Sequence, residues 1–174
     1  DTVTTTESRK PVILKLMRRR DQFDREVAAR ERLGMTVGEN DDAALSSDGG
    51  VKNAKHVIRV LATSDDPNLR DRWASDAEAR GWKGCAHGLV MESGDRNLMA
   101  ALLQERMSLE YGVRTLEQLA RGLAHLHGLG LVHCDVKPLN AVRAGPEQTW
   151  RLIDFDAAVA VGEYAGSKSS TGYC

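Results

Sequence analysis

The amino-acid sequence predicts an α+β fold, and three stretches of the chain carry that prediction. The first is PVILKLM at residues 11–17, an apolar run rich in β-branched residues and typical of a strand. The second is RTLEQLARGLAHLHGLG at residues 114–130, where leucines recur at helical spacing. The third is TWRLIDFDAAVAV at residues 149–161, a strand with two aspartates where its β-pattern should end. Strands and helices are therefore both expected in the core.

The remaining elements follow from caps, turns and periodicity. The segment at 21–34 predicts a short helix with Asp21 as N-cap and Gly34 as stop, and Thr115 with Gln118 matches the capping-box pattern at the start of the long helix. The other predicted elements are a loop or insertion at 36–53, strands at 56–63 and 87–93, a small surface helix within 64–84, and a helix at 97–109.

Composition excludes several classes of protein. The 174 residues contain 24 Lys+Arg against 25 Asp+Glu, a formal net charge of -1, so we expect no nucleic-acid partner. The longest apolar run, LMAALL at 98–103, is far shorter than the roughly 20 residues that span a bilayer, so we expect no membrane segment. Cys85, Cys134 and Cys174 fit no metal-ligand spacing and follow no secretory signal, which predicts an intracellular protein, located in the cytoplasm.

The stretch LVHCDVKPLN, residues 131–140, contains the residues best suited to chemistry. Asp135, Lys137 and Asn140 lie within six residues, and Asp154 follows the asparagine by fourteen. Phosphoryl transfer from a metal-bound nucleotide requires a carboxylate at the attacking hydroxyl, a cation at the transferred phosphate and oxygen ligands for Mg²⁺. Asp135 and Lys137 are therefore the candidate catalytic residues, and Asn140 with Asp154 the candidate metal ligands.

In this pattern the chain resembles the eukaryotic protein kinase family. The family's H-R-D-x-K-x-x-N is matched by HCDVKPLN at 133–140, its D-F-G by DFD at 154–156, and the end of its activation segment by STGYC at 170–174. The resemblance implies a truncated two-lobe kinase fold across residues 1–174. Residues 1–92 would form part of the β-rich N-lobe, and residues 93–174 the hinge, the first C-lobe helices, the catalytic loop and the activation segment.

The resemblance also implies ATP and Mg²⁺ as cofactors, and it suggests which residues bind the nucleotide. The strand VILK is similar to the family's V-A-I-K, which makes Lys15 the expected partner of the α- and β-phosphates and of a helix glutamate. Glu26 is the preferred glutamate, because FDRE with Leu33 downstream matches the family's pattern. Glu31 is the alternative.

The segment LVMESG resembles the connection between the two kinase lobes. By that resemblance Met91 occupies the gatekeeper position, and the backbone of Glu92 and Gly94 would hydrogen-bond adenine. Lys137, two residues after the catalytic aspartate, is typical of serine/threonine kinases. A Ser or Thr hydroxyl of a protein substrate is the expected acceptor.

Three residues depart from the family pattern. Cys134 replaces an arginine that in many members pairs with an activation-loop phosphate, and neutral cysteine cannot make that contact. Arg30 lies one turn after Glu26, where the family packs an apolar residue, and predicts a helix poorly locked in the active position. Asp156 replaces the glycine of D-F-G. In an extended segment Asp154 and Asp156 would point to one side and could share the metal.

Other departures are absences. No G-x-G-x-x-G precedes VILK, and the sequence stops before the family's A-P-E. We therefore expect the remainder of the kinase domain outside this chain. Without it, Leu119, Leu123 and Leu126 on the long helix would form an exposed apolar face.

Two alternative functions remain open from the sequence. Aminoglycoside- and choline-type phosphotransferases use a similar loop, and their metal motif is close to LIDFDAA; Asp156 favours them, while Lys137 and STGYC favour protein kinases. The second alternative is a pseudokinase that acts as a binding or scaffold module. Asp156, Cys134 and the missing glycine loop motivate it.

Overall fold

The structure, a computed structural model, describes residues 11–34 and 55–166. The predicted insertion at 36–53 and the ending STGYC lie outside the described residues. In chain order the elements are β1 Val12–Met17, α1 Arg20–Arg32, β2 Val60–Thr63, α2 Arg70–Ala79, β3 His87–Glu92, β4 Gly94–Asn97, α3 Leu98–Gln104, α4 Leu109–Gly128, β5 Leu131–Val132, β6 Ala141–Ala144, β7 Thr149–Leu152 and β8 Val159–Ala160. The predicted α+β class is confirmed. None of the helices in this described part has the length and apolar character needed to span a bilayer.

The strands form three antiparallel sheets. Their orders are β1-β3-β2, β4-β6-β7 and β5-β8. β3 is central in the first sheet, where Lys15 of β1 lies opposite Leu89. Only Ser93 separates β3 from β4, so the chain passes directly from the first sheet into the second at this residue.

Helix α1 begins and ends for different reasons. The prediction of Asp21 as N-cap is wrong: extended Arg19 is the N-cap and makes no side-chain cap hydrogen bond. Asp21 instead lies in the first turn, where its carboxylate pairs with Arg19 at 2.7 Å and suits the helix dipole. Gly34 has φ 68° and its N–H donates to Glu31 O at 3.0 Å, so the predicted stop is confirmed.

Helix α4 begins earlier than the sequence predicts. Its N-cap is Ser108, whose Oγ accepts from the Tyr111 N–H at 3.1 Å. Thr115 is buried inside the helix and donates through Oγ1 to Tyr111 O at 2.9 Å, so the predicted capping box is wrong. Gln118, its supposed partner, accepts from the Trp150 N–H at 2.7 Å and fixes α4 to β7.

The leucine stripe of α4 faces the core. Leu126 is fully buried, and Leu119 and Leu123 pack partly buried against the same apolar cluster, because positions i, i+4 and i+7 share one helix face. The expectation that these three leucines are exposed is therefore wrong. The exposed leucines of α4 are Leu109 and Leu116, near its N-terminus.

Three clusters of buried side chains make up the core. α1 takes part in two of them, since Phe23 packs among β1, β2 and β3 whereas Ala29 and Leu33 pack with α4 and the segment after β7. The third cluster joins α3 to the second sheet. α1 therefore contacts both the first sheet and the region of α4. Its position determines how the side chains of the first sheet approach those of the segment after β7.

Gly122 supplies a test of the packing between α4 and the strands. A Cβ added there would lie 3.1 Å from both His56 O and Leu152 Cδ1, whereas a Cβ on Gly112 of the same helix would meet nothing within 4 Å. We expect Gly122→Val to lower the free energy of unfolding by about 1–3 kcal/mol through overpacking. Urea denaturation of the matched Gly112→Val variant should show a much smaller loss; equal losses would contradict close packing at Gly122.

Candidate active site

Lys15 lies at the meeting point of three elements. Its Nζ is 2.5 Å from Glu26 Oε2 on α1 and 2.6 Å from Asp154 Oδ1 after β7. Burial lowers the pKa of Lys15, but attraction to Glu26 and Asp154 outweighs burial and holds that pKa above its ordinary value. The expected contact with a helix glutamate is made by Glu26, while Glu31 is exposed.

Arg30 completes a cluster of four charges, Lys15, Glu26, Arg30 and Asp154, which we call the charge cluster. Arg30 is 2% exposed and donates to Glu26 Oε1 through Nε at 3.1 Å and Nη2 at 2.8 Å. Burial raises the pKa of Glu26, but Arg30 and Lys15 hold it below its ordinary value. The expectation that Arg30 leaves α1 poorly locked is wrong, because its guanidinium is buried and bonded to the glutamate.

Asp135, a candidate catalytic residue, contacts both Lys137 and Asn140 directly. Asp135 is buried, and its Oδ2 lies 2.7 Å from Lys137 Nζ. A short 3₁₀ turn, Pro138–Asn140, folds the chain back so that Asn140 Nδ2 donates to Asp135 O at 2.8 Å and to its Oδ2 at 3.0 Å. These bonds fix both the carboxylate of Asp135 and the amide plane of Asn140.

Ile153 connects the loop that contains His133 and Asn140 to Asp154. Its N–H donates to Asn140 O at 3.0 Å, and its carbonyl lies 3.1 Å from His133 Nε2. Because a carbonyl only accepts, Nε2 is the nitrogen that carries the proton. Burial lowers the pKa of His133, which favours this neutral form. Asp154 is the next residue, so the chain just before it is tied to the backbone of Asn140.

The backbone is strained at two of these positions. Cys134 has φ 61° and Asp154 has φ 68°, the left-handed region that non-glycine residues seldom adopt. Such conformations cost about 1–3 kcal/mol each and cluster at functional sites. Since Asp154 is left-handed, the segment is not extended and the alternation argument for shared metal binding by Asp156 fails. Asp156 is buried, and its carbonyl accepts from Arg25 Nε at 3.0 Å.

An apolar cleft of about 230 Å³ lies beside the loop residues. Met91, expected at the gatekeeper position, and Glu92 and Gly94, expected to hydrogen-bond adenine, all line it. Its other lining residues are Ile13, Ile58, Arg96, Asn97, Leu139, Val142 and Ile153. Gly94 allows close approach of β6, since a Cβ there would lie 3.2 Å from Arg143 O. The structure therefore places the expected hinge residues together in one cleft.

The apolar walls of this cleft are functional residues that were not predicted from the sequence, although the sequence contains signals for them. Leu139 and Ile153 immediately precede the candidate metal ligands, and Ile13 is two residues before Lys15, on the same side of a strand. Apolar residues beside polar ones at such positions are typical of ligand clefts.

Asn140 and Asp154 fit a magnesium ion bound together with nucleotide phosphates. Across residues 11–34 and 55–166 no group of three or more His, Cys, Asp or Glu could hold a metal alone. Mg²⁺ needs few protein ligands when phosphates supply others, and it prefers oxygen donors. Both hydrogen bonds described for the Asn140 amide leave from Nδ2, which makes the amide oxygen the atom of this side chain suited to bind a cation.

Comparison with known proteins yields a family and several relatives. Mitogen-activated protein kinase 4 of Homo sapiens is 24% identical over 131 residues, 72% of this chain and 22% of that protein. Serine/threonine-protein kinase SKS1 of Saccharomyces cerevisiae is 33% identical over 70 residues, 38% of this chain and 14% of the relative. Homeodomain-interacting protein kinase 2 of Mus musculus is 40% identical over 76 residues, 40% of this chain and 6% of the relative. The chain thus spans less than a quarter of each relative's length.

The family model named protein kinase domain matches residues 53–173, more than half of the chain. This match and the relatives favour the protein kinase interpretation over the aminoglycoside- and choline-type alternative. The mixed fold with small antiparallel sheets agrees with a partial kinase fold. The chain belongs to the protein kinase domain family.

Proposed function

We propose that the protein transfers a phosphoryl group from ATP, with Mg²⁺, to a Ser or Thr hydroxyl of a protein substrate. One observation supports this most: Ile153 ties the Asp135, Lys137 and Asn140 loop to Asp154, which is bonded to Lys15. Residues from β1, α1 and two loops thereby meet beside an apolar cleft of about 230 Å³.

Asp135 is the proposed base. Its carboxylate orients the acceptor hydroxyl and takes the proton as the new oxygen–phosphorus bond forms and the bond to the leaving ADP oxygen breaks. Lys137, 2.7 Å from Asp135 Oδ2, places a positive charge where the transferred phosphate carries negative charge. The hydrogen bonds from Asn140 keep the carboxylate of Asp135 in one orientation before substrate binds.

Lys15, Asn140 and Asp154 are the proposed phosphate and metal residues. Lys15, held by Glu26 at 2.5 Å, would bind the phosphates of a nucleotide, and Met91, Glu92 and Gly94 would hold its base in the cleft. When bound to Asn140 and Asp154, Mg²⁺ supplies charge neutralisation at the phosphate oxygens.

The acceptor class is proposed on two grounds. Lys137 lies two residues after Asp135, as is typical of serine/threonine kinases. One relative, SKS1, is named a serine/threonine-protein kinase. The family favours a protein acceptor over a small molecule.

A pseudokinase scaffold is the second candidate function, and Asp156 favours it. Asp156 stands two positions after Asp154, where the family has glycine, and it is buried. Such a protein would bind nucleotide and leave the γ-phosphate in place.

The experiment offers the purified protein γ-labelled ATP, with Mg²⁺ or with a chelator, and four acceptors. These are a Ser/Thr peptide panel, a Tyr panel, choline and an aminoglycoside. We expect label on Ser or Thr only, and only with Mg²⁺. Label on choline or the aminoglycoside would contradict a protein acceptor, and ATP binding without transfer to any acceptor would support the scaffold.

A further inference from the structure

Arg30 is a fully buried cation whose partners come from separate parts of the fold. Besides Glu26, its guanidinium donates through Nη1 to Ile58 O at 2.7 Å, just before β2. Its Cζ lies 5.0 Å from the centroid of the Phe155 ring, a cation–π distance, and its Nη2 is 3.8 Å from Met91 Sδ. One side chain therefore contacts α1, the approach to β2, the back of the cleft and the residue after Asp154.

The charge cluster is balanced only when Arg30 is counted. Lys15 and Arg30 carry two positive charges, and Glu26 and Asp154 carry two negative charges. Glu26 is fully buried, and an unneutralised buried carboxylate is costly. Because Nε and Nη2 of Arg30 both donate to Oε1 of Glu26, Oε2 of the same carboxylate is presented to Lys15.

We propose that Arg30 is a positioning residue that holds Glu26 against Lys15 and fixes α1 on the Phe155 segment. The contact between Lys15 and Glu26 is thus supported by a second buried side chain of α1, that of Arg30. The consequence for turnover rests on the proposed function, whereas the consequence for the position of α1 does not.

The test is a double-mutant cycle with Arg30→Met, Glu26→Gln and the double variant. Hydrogen exchange of the α1 backbone amides is measured without nucleotide, and KM for ATP and kcat are measured in parallel. If Arg30 acts through Glu26, Arg30→Met should speed α1 exchange at least about fivefold more in the wild-type background than in the Glu26→Gln background. Equal acceleration in both backgrounds would reduce Arg30 to packing and overturn the proposal.

Arg121 offers a matched control on α4. It pairs with Glu117 at i-4 through Nη2 and Oε1 at 2.6 Å, as Arg30 pairs with Glu26, but both partners are more than half exposed. Arg121→Met should leave α4 exchange and turnover unchanged. An effect of similar size would show that any helical Arg–Glu pair acts this way, and would overturn a special role for Arg30.

Two further arms keep the outcome decisive. If Arg30→Met fails to fold, Arg30→Lys replaces it in the same cycle. Lysine keeps the positive charge but cannot donate from two guanidinium nitrogens to Glu26 Oε1. Coupling in α1 exchange without turnover in the wild type would sustain Arg30 as a positioning residue and defeat the proposed function. Turnover without coupling would do the reverse.

Discussion

Asp135→Asn is expected to lower kcat by about 10² to 10⁴ fold, the range that a general base contributes. Asparagine has nearly the same shape and can keep a hydrogen bond in the loop, but its amide cannot take the proton of the acceptor hydroxyl. Affinity for ATP should stay close to the wild-type value, because the carboxylate acts on the hydroxyl and not on the nucleotide. Steady-state kinetics and calorimetric titration of ATP measure the two quantities.

The control for this variant is Asp71→Asn, a change of the same chemistry at an exposed position of α2. It should leave both kcat and ATP affinity unchanged. Turnover retained by Asp135→Asn would remove Asp135 from the mechanism, and a parallel loss of ATP affinity would show that the residue acts on the nucleotide.

Lys15→Met is expected to lower kcat/KM by about 10² to 10³ fold, as removal of one preorganised donor at developing charge commonly does. Methionine keeps the length and apolar stem of the side chain but leaves Glu26 Oε2 and Asp154 Oδ1 without the ammonium that lies 2.5 and 2.6 Å from them. The excess negative charge should also weaken binding of ATP phosphates.

Lys83→Met is the matched control, since Lys83 is exposed after α2. Kinetics across a range of ATP concentrations, with a denaturation curve for each variant, separate loss of nucleotide binding from loss of fold. A Lys15→Met protein with wild-type kcat/KM would show that the contact with Glu26 is structural only.

The sequence was sufficient for the residues that act through local spacing. Asp135, Lys137 and Asn140 lie within one loop, so their contacts depend on a few backbone angles and the turn at Pro138. The Lys15 contact with Glu26 was implied by the resemblance of VILK and FDRE to the family's patterns, and β1 and α1 are adjacent in sequence. In each case a short segment limits where the side chains can go.

Arg30 shows where sequence patterns fail. Its burial depends on Phe155 and Ile58, residues far away in the chain, and a helical arginine is exposed in most contexts. The start of α4 shows a second limit, because Ser108 and Thr115 are both residue types that cap helices. Gln118 accepts a hydrogen bond from Trp150 of β7, a contact distant in sequence, and the helix begins at Ser108. The left-handed backbone of Asp154 has only a weak marker in the residue type, since aspartate is enriched in this region but seldom adopts it.

If the protein is a kinase and not a scaffold, ATP that it binds passes its γ-phosphate to a Ser or Thr acceptor. The decisive measurement is a single-turnover rapid-quench experiment with protein in excess over labelled Mg²⁺-ATP and a saturating Ser/Thr acceptor. Under these conditions a trace contaminant cannot convert all of the bound nucleotide within one turnover of the protein. We predict that the bound label passes to Ser or Thr in one exponential phase and that Asp135→Asn retains it as ATP. Recovery of the label as intact ATP from the wild-type protein would contradict phosphoryl transfer.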